Sequence, residues 1–169
     1  RRKRMITTKV GFIVYGVHKD GLKDPMGTPF IDDRLVARAR QALRRAGLEL
    51  VEHDVVIASK AEARACLAQF KRMDDVDALV FFSGTWVWAA HLIAPIRDYA
   101  MTGKGLVFWT HPGSQGWRPV GGLVMQGALK EVGIPHRFVY GACDNARDVE
   151  RVTAYCRASA MKNRLNMST

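Results

Sequence analysis

The chain has 169 residues, 48% of them hydrophobic and 25% charged, and a formal net charge of +10 at pH 7. These proportions are typical of one globular domain and exclude a disordered or collagen-like chain. No run approaches the ~18 to 20 apolar residues of a membrane span, and Met5 is not followed by a signal-peptide core. We therefore expect a cytoplasmic protein without membrane contact.

Five apolar runs alternate with segments of helical period, a pattern typical of βαβ units in a parallel sheet covered on both faces. The runs predict strands at Lys9–Tyr15, Leu48–Ile57, Ala78–Phe82, Gly105–Trp109 and Arg137–Tyr140. Because crossovers between parallel strands are right-handed, the predicted fold is a three-layer α/β domain with strand order 2-1-3-4-5, as in flavodoxin-like domains.

Two of the predicted helices have clear end signals. The first carries inward apolar residues at Leu35–Leu43 and stops at Gly47. The second begins with a capping box formed by Ser59 and Glu62 and runs to about Met73.

The later helices are marked by proline, glycine and charge. A helix at Leu92–Met101 has Pro95 near its start, so the residues before it are predicted to be irregular. Val120–Val132 contains three glycines, which indicate close packing. The last helix begins after Asn145 and ends in the basic segment 162–164.

The chain is predicted to have one main domain. Residues 1–8 form a basic arm, residues 9–165 form the α/β domain, and residues 166–169 begin a following segment that is extended and cut short. The three cysteines lack CxxC spacing and are expected to be buried, reduced thiols; they are Cys66, Cys143 and Cys156.

A ligand in an open α/β sheet binds beyond the carboxyl ends of the strands, where the strand order reverses. The loops that follow the first, third and fourth strands supply six candidate substrate-binding residues, namely His18, Lys19, Thr85, Trp86, Trp88 and His111. Indole rings beside hydroxyl and imidazole groups suit a sugar, so we predict a sugar site. The alternative is that the tryptophans belong to the core or an interface and the histidines are satisfied loop residues. No metal site is predicted, because neither histidine has a partner ligand at a usual spacing.

Other ligands of this fold are disfavoured by missing motifs. Residues 15–23 lack the short Ser/Thr/Gly-rich turn of a flavin phosphate loop. The acidic residues of a phosphotransfer receiver are absent, and neither GxGxxG nor GxxxxGK[ST] occurs. Nucleic acid is not predicted as a partner, because only residues 1–4 form a basic run and no recognised module accompanies the charge.

Short motifs spread along the chain resemble the N-terminal domain of the L-fucose and L-arabinose isomerase family, above all its fucose isomerase branch. They are a Lys-x-Gly-Phe opening strand at Lys9–Phe12, then Thr85–Trp88, Gly121-Gly122, Gly133–Pro135, Tyr140-Gly141 and Arg157–Lys162. In that family Trp86 matches an aromatic residue that borders the sugar, and Gly16–Lys19 matches the loop beside it.

The resemblance implies the N-terminal substrate-binding and assembly domain of a metal-dependent aldose-ketose isomerase. Members use Mn²⁺ or a similar cation held by later domains and assemble as trimers or hexamers. The chain would then have no catalytic residue or metal of its own and would be inactive alone, with a sugar and the rest of the parent protein as partners. The alternative is a self-contained sugar-binding or regulatory module without catalysis.

Overall fold

The computed structural model describes residues 7–16, 31–112 and 118–167. For Arg118 and Met167 it describes the backbone only. The five strands are β1 (Thr8–Tyr15), β2 (Leu48–Glu52), β3 (Ala78–Ser83), β4 (Gly105–Thr110) and β5 (Arg137–Tyr140). The five helices are α1 (Asp33–Arg45), α2 (Lys60–Lys71), α3 (Ala89–Ala100), α4 (Arg118–Glu131) and α5 (Ala146–Met167).

All strand pairs are parallel, and the sheet order is β2-β1-β3-β4-β5. The predicted fold class, three layers with strand order 2-1-3-4-5, is therefore confirmed. Strand order reverses between β1 and β3, which places the expected ligand crevice at the carboxyl ends of these two strands.

Side chains alternate between the two faces of the sheet and build one core on each side. Ile13 and Phe81 belong to the core beneath α2, α3 and α4, where Phe81 stacks on Phe108 with ring centroids 4.7 Å apart. Phe12 and Phe82 belong to the core beneath α1 and α5. Burying both faces explains why the strands read as continuous apolar runs.

The predicted helix starts are partly correct. The capping box is present, because Ser59 Oγ accepts from the Glu62 amide and the Glu62 carboxylate accepts from the Ser59 amide. In contrast, α3 begins at Ala89 rather than Leu92, so Pro95 lies inside the helix and not in its first turn.

Two other boundaries differ from the prediction. Regular pairing of β2 ends at Glu52, although Ile57 still forms a single bridge to Tyr15. The segment from residue 166 was expected to be extended, but α5 continues through Met167 because no glycine or proline interrupts it.

All three cysteines are buried and free, as predicted. Burial raises the pKa of Cys66 and of Cys156 to about 12, so these thiols stay protonated at neutral pH. Within the part of the chain that the structure describes, no helix is both long enough and apolar enough to cross a bilayer.

Candidate functional site

The carboxyl edge of the sheet carries a row of hydroxyl groups. Tyr15, Ser83 and Thr110 are the last residues of β1, β3 and β4, and all three are fully buried. Tyr15 lies opposite Ser83 in the strand register. The sequence predictions missed this row, although its signal was present: the first apolar run ends in Tyr15, and Ser83 and Thr110 directly follow the third and fourth runs.

Tyr15 is the most perturbed group in this row. Burial raises the pKa of Tyr15 to about 12, while the neighbouring side chains of Ser83 and Thr110 act in the opposite direction. In the described part of the chain, Tyr15 Oη and Thr110 Oγ1 reach no partner with ordinary hydrogen-bond geometry. The floor of the crevice is therefore polar but uncharged at neutral pH.

The loop that follows β3 is wedged between β1 and α4. The Gly84 amide donates to the Tyr15 carbonyl at 2.8 Å, and Ser83 Oγ donates to the Thr85 carbonyl at 3.4 Å. A Cβ atom at Gly16 would lie 2.5 Å from Thr85 Oγ1, and one at Gly121 would lie 2.5 Å from the Thr85 carbonyl oxygen. Glycines at both positions therefore let the neighbouring backbones hold the loop in place.

Trp86 and Trp88 stand on this fixed loop. Their ring centroids are 4.3 Å apart with an interplanar angle of 61°, an edge-to-face arrangement. Trp86 is half-buried, Val87 between them is buried, and Trp88 is 62% exposed. The Trp88 indole therefore contacts the Trp86 ring and is otherwise largely exposed to solvent.

Trp88 also occupies the N-cap position of α3. Its backbone has the extended conformation of an N-cap, but its side chain makes no capping hydrogen bond. Serine, threonine, aspartate or asparagine at such a position stabilises a helix by roughly 1 kcal/mol relative to a residue that cannot cap. Trp88 therefore exposes a large apolar surface at a position where its side chain provides no capping hydrogen bond.

The structure brings four of the six predicted site residues to the same edge of the sheet. Thr85, Trp86 and Trp88 share the loop after β3, and His111 directly follows β4, where it is buried with 8% exposure. His18 and Lys19 lie outside the described residues.

The other tryptophans do not extend the site in the described part of the chain. Trp109 is fully buried in the core, where its indole N–H donates to the Gly141 carbonyl at 2.9 Å. The core alternative is thus correct for Trp109. Trp117 lies outside the described residues.

The beginning of α1, the helix that follows β1, is acidic. The Asp32 side chain caps the helix by accepting from the Leu35 amide at 3.0 Å, and Asp33 occupies the first turn. A helix N-terminus attracts anions through its free amides and its dipole. Here one amide is already satisfied by a carboxylate, and two negative charges oppose an incoming phosphate.

Comparison with known proteins gives no family. No family model and no curated protein matches the chain. Similar solved structures include a diflavin flavoprotein A3 from Nostoc sp., with 14% identity, a TM-score of 0.47 and coverage of 96% of this chain and 99% of that chain. Another is the flavodoxin of Streptococcus pneumonia TIGR4, with 11% identity, a TM-score of 0.40 and coverage of 92% and 99%. Similarity at this level identifies no ligand for this chain.

The predicted membership of the fucose isomerase family is wrong, since the two similar solved structures named above are a diflavin flavoprotein and a flavodoxin. The same finding contradicts three further predictions, namely the isomerase function, the sugar-binding alternative and the Mn²⁺ cofactor. No group of three or more histidine, cysteine or acidic side chains that could hold a metal occurs among the described residues. The Gly121-Gly122 motif has a packing role in this fold, because Gly121 lies against the Thr85 backbone and Gly122 against the Thr110 side chain.

Proposed function

We propose that this chain is a binding domain for a planar, uncharged aromatic heterocycle, and that the ring system of a flavin is the compound to test. The ligand would lie at the carboxyl edge of the sheet, between the ends of β1 and β3. The observation that carries the proposal is Trp88, an indole 62% exposed at the switch point of the sheet.

The geometry of the loop favours a flat ring. Trp88 makes no capping hydrogen bond at the N-cap of α3, and its indole lies at the switch point of the sheet, where domains of this architecture bind their ligands. An aromatic pair contributes about 0.5–1.5 kcal/mol beyond the apolar area that it buries. Because the loop is already fixed against Gly16 and Gly121, little conformational entropy would be lost on binding.

The chemistry of the edge favours an uncharged ligand. The buried polar side chains there include the hydroxyls of Tyr15, Ser83, Thr85 and Thr110 and the imidazole of His111. Tyr15 is protonated at neutral pH, and burial raises its pKa further, to about 12. Such groups suit the carbonyl and ring-nitrogen atoms of a heterocycle better than they suit an anion.

A flavin therefore fits this site only in part. Its flat ring suits the indoles of the Trp86–Trp88 loop, but its phosphate does not suit the acidic start of α1. A phosphate is held by free amides at a helix N-terminus. In this chain Asp32 caps that terminus and Asp33 adds a second carboxylate. We therefore propose binding of the ring alone.

The test is a fluorescence titration of the chain with riboflavin and, separately, with its phosphate ester FMN. We expect riboflavin to bind at least as tightly as FMN, with quenching of tryptophan emission. The Trp88→Ala variant should bind at least about 10-fold more weakly, a loss of about 1.4 kcal/mol. Met161→Ala is the matched control, since Met161 is 65% exposed on α5, outside the loop.

Two results would count against the proposal. If neither flavin binds, or if Trp88→Ala binds like the wild type, the indole is not a binding surface. If FMN binds far more tightly than riboflavin, the acidic start of α1 does not exclude a phosphate and the ligand is not uncharged.

A further inference from the structure

A second concave surface lies along the edge strand β5, beside α5. Its main cavity, of about 430 Å³, is lined by Arg137, Arg147, Glu150, Arg151, Ala154 and Tyr155. A second cavity of about 260 Å³ also borders Tyr155 and adds Lys104 and Lys162. We call these two cavities together the β5–α5 groove. It shares no lining residue with the Trp86–Trp88 loop.

The cations of the main cavity are not balanced by its acids. Arg137 and Arg147 form no ion pair with any residue of the described ranges. The Glu150 carboxylate lies 3.3 Å from Arg157, and Arg151 lies 3.5 Å from Asp148. Arg137 of β5 and Arg147 of α5 therefore border the cavity without an ion-pair partner among the described residues.

The position of Arg147 is unfavourable in the absence of an anion. It lies in the first turn of α5, where the helix dipole is positive and where Asp148 is the acidic residue. Arg151 lies four residues further along the same helix, a spacing at which like charges repel. A bound anion would offset both of these repulsions.

The far end of the groove is also basic and has an aromatic wall. Lys104 Nζ donates to the Met73 carbonyl at 2.6 Å, and Lys162 Nζ donates to the Gly103 carbonyl at 3.2 Å. These contacts fix two ammonium groups at the second cavity. The half-buried Tyr155 separates them from the arginines and offers a ring surface between the two clusters.

We infer that the β5–α5 groove binds a small phosphorylated ligand. Its phosphate group lies between Arg137 and Arg147, where planar guanidinium groups make bidentate hydrogen bonds to phosphate oxygens. The rest of the ligand extends along Tyr155 toward Lys104 and Lys162.

The test is an NMR titration of the ¹⁵N-labelled full chain with inorganic pyrophosphate in 150 mM NaCl. We expect saturable shifts of the Arg137, Arg147 and Tyr155 amides. The double variant Arg137→Gln/Arg147→Gln should weaken binding at least about 10-fold, whereas riboflavin binding should not change. The matched control is Arg45→Gln/Arg64→Gln, which removes two exposed arginines from α1 and α2 and should alter pyrophosphate binding less than 2-fold.

Three outcomes would overturn the inference. The shifts could grow linearly without saturation, which indicates unspecific screening. The control could weaken binding as much as the double variant, which indicates a response to net charge alone. Finally, a single-stranded oligonucleotide could bind while pyrophosphate does not, which would identify the groove as a nucleic-acid surface.

Discussion

Gly122 of α4 packs directly against Thr110, the last residue of β4. A Cβ atom at position 122 would overlap Thr110 Oγ1 and lie 2.8 Å from Thr110 Cβ. Gly127, five residues further along α4, has no atom within 4 Å of a Cβ built on it. Gly122 and Gly127 therefore differ in the space around them, since only Gly127 leaves room for a side chain.

This difference predicts opposite effects for the same substitution. Gly122→Ala should lower the free energy of unfolding by about 2–3 kcal/mol, because α4 must move away from the sheet. Gly127→Ala should raise it by about 0.5–1 kcal/mol, because alanine favours the helix and meets no neighbour. Urea unfolding measures both, and a neutral Gly122→Ala would show that α4 is not seated on Thr110.

A double variant identifies the contact. Adding Thr110→Ala to Gly122→Ala removes two of the three atoms that the new methyl group meets, Oγ1 and Cγ2, so the double variant should be more stable than the sum of the two single effects predicts. We expect a coupling of at least about 1 kcal/mol, whereas additive effects would place the strain elsewhere.

We expect substitutions of Trp88 to affect stability and riboflavin binding differently. Trp88→Ser and Trp88→Ala remove the same indole, but only serine can cap α3. The serine variant should therefore be about 1 kcal/mol more stable than the alanine variant in urea unfolding, while both lose riboflavin binding. Trp88→Phe, which keeps an aromatic ring, should retain part of the binding. Equal stability of the serine and alanine variants would mean that the N-cap geometry is not as described.

The fold was predictable from the sequence because both faces of the sheet are buried. Continuous apolar runs mark such strands, and the capping signal at Ser59 and Glu62 depends on local geometry alone. The start of α3 was not predictable from Pro95, because a buried proline is tolerated inside this helix once the chain packs. Tertiary contacts, which a local pattern does not contain, decided that boundary.

The site was predictable only in its location. Strand ends bring Thr85, Trp86 and Trp88 to the edge of the sheet whatever the ligand is, so the strand-order rule sufficed to find them. The ligand class was not predictable, because an indole stacks on a sugar or on an aromatic ring. The contribution of Tyr15 was missed, since its hydroxyl ends an apolar strand and becomes visible only when the register places it opposite Ser83.

Because Tyr15 is buried, we expect the protein to lose stability in alkaline solution. Burial raises its pKa from 10.0 to about 12, so above pH 10 the unfolded chain loses this proton while the folded chain keeps it. The free energy of unfolding should then fall between pH 10 and pH 12, by at most about 1.4 kcal/mol per pH unit from this group, and its contribution is complete below pH 10.

The Tyr15→Phe variant isolates this effect. It should unfold with a smaller pH dependence above pH 10, although the buried thiols keep part of the slope. At pH 7 it should be as stable as the wild type or more stable by up to about 1 kcal/mol, because it removes a buried hydroxyl without a well-placed partner. An unchanged alkaline slope in urea unfolding would show that Tyr15 ionises normally in the folded chain.

Ser159 on α5 joins the starts of two strands. Its hydroxyl accepts from the Gly105 amide at 2.8 Å and donates to the Asp77 carbonyl at 2.8 Å, while Asn163 Nδ2 also donates to that carbonyl at 3.0 Å. Ser159→Ala would leave the buried Gly105 amide without an acceptor, so it should cost about 2 kcal/mol. Asn163→Ala should cost less, because the Asp77 carbonyl keeps the Ser159 hydroxyl. Hydrogen exchange of the Gly105 amide should accelerate in Ser159→Ala and not in Asn163→Ala, and equal protection in both variants would mean that another group satisfies this amide.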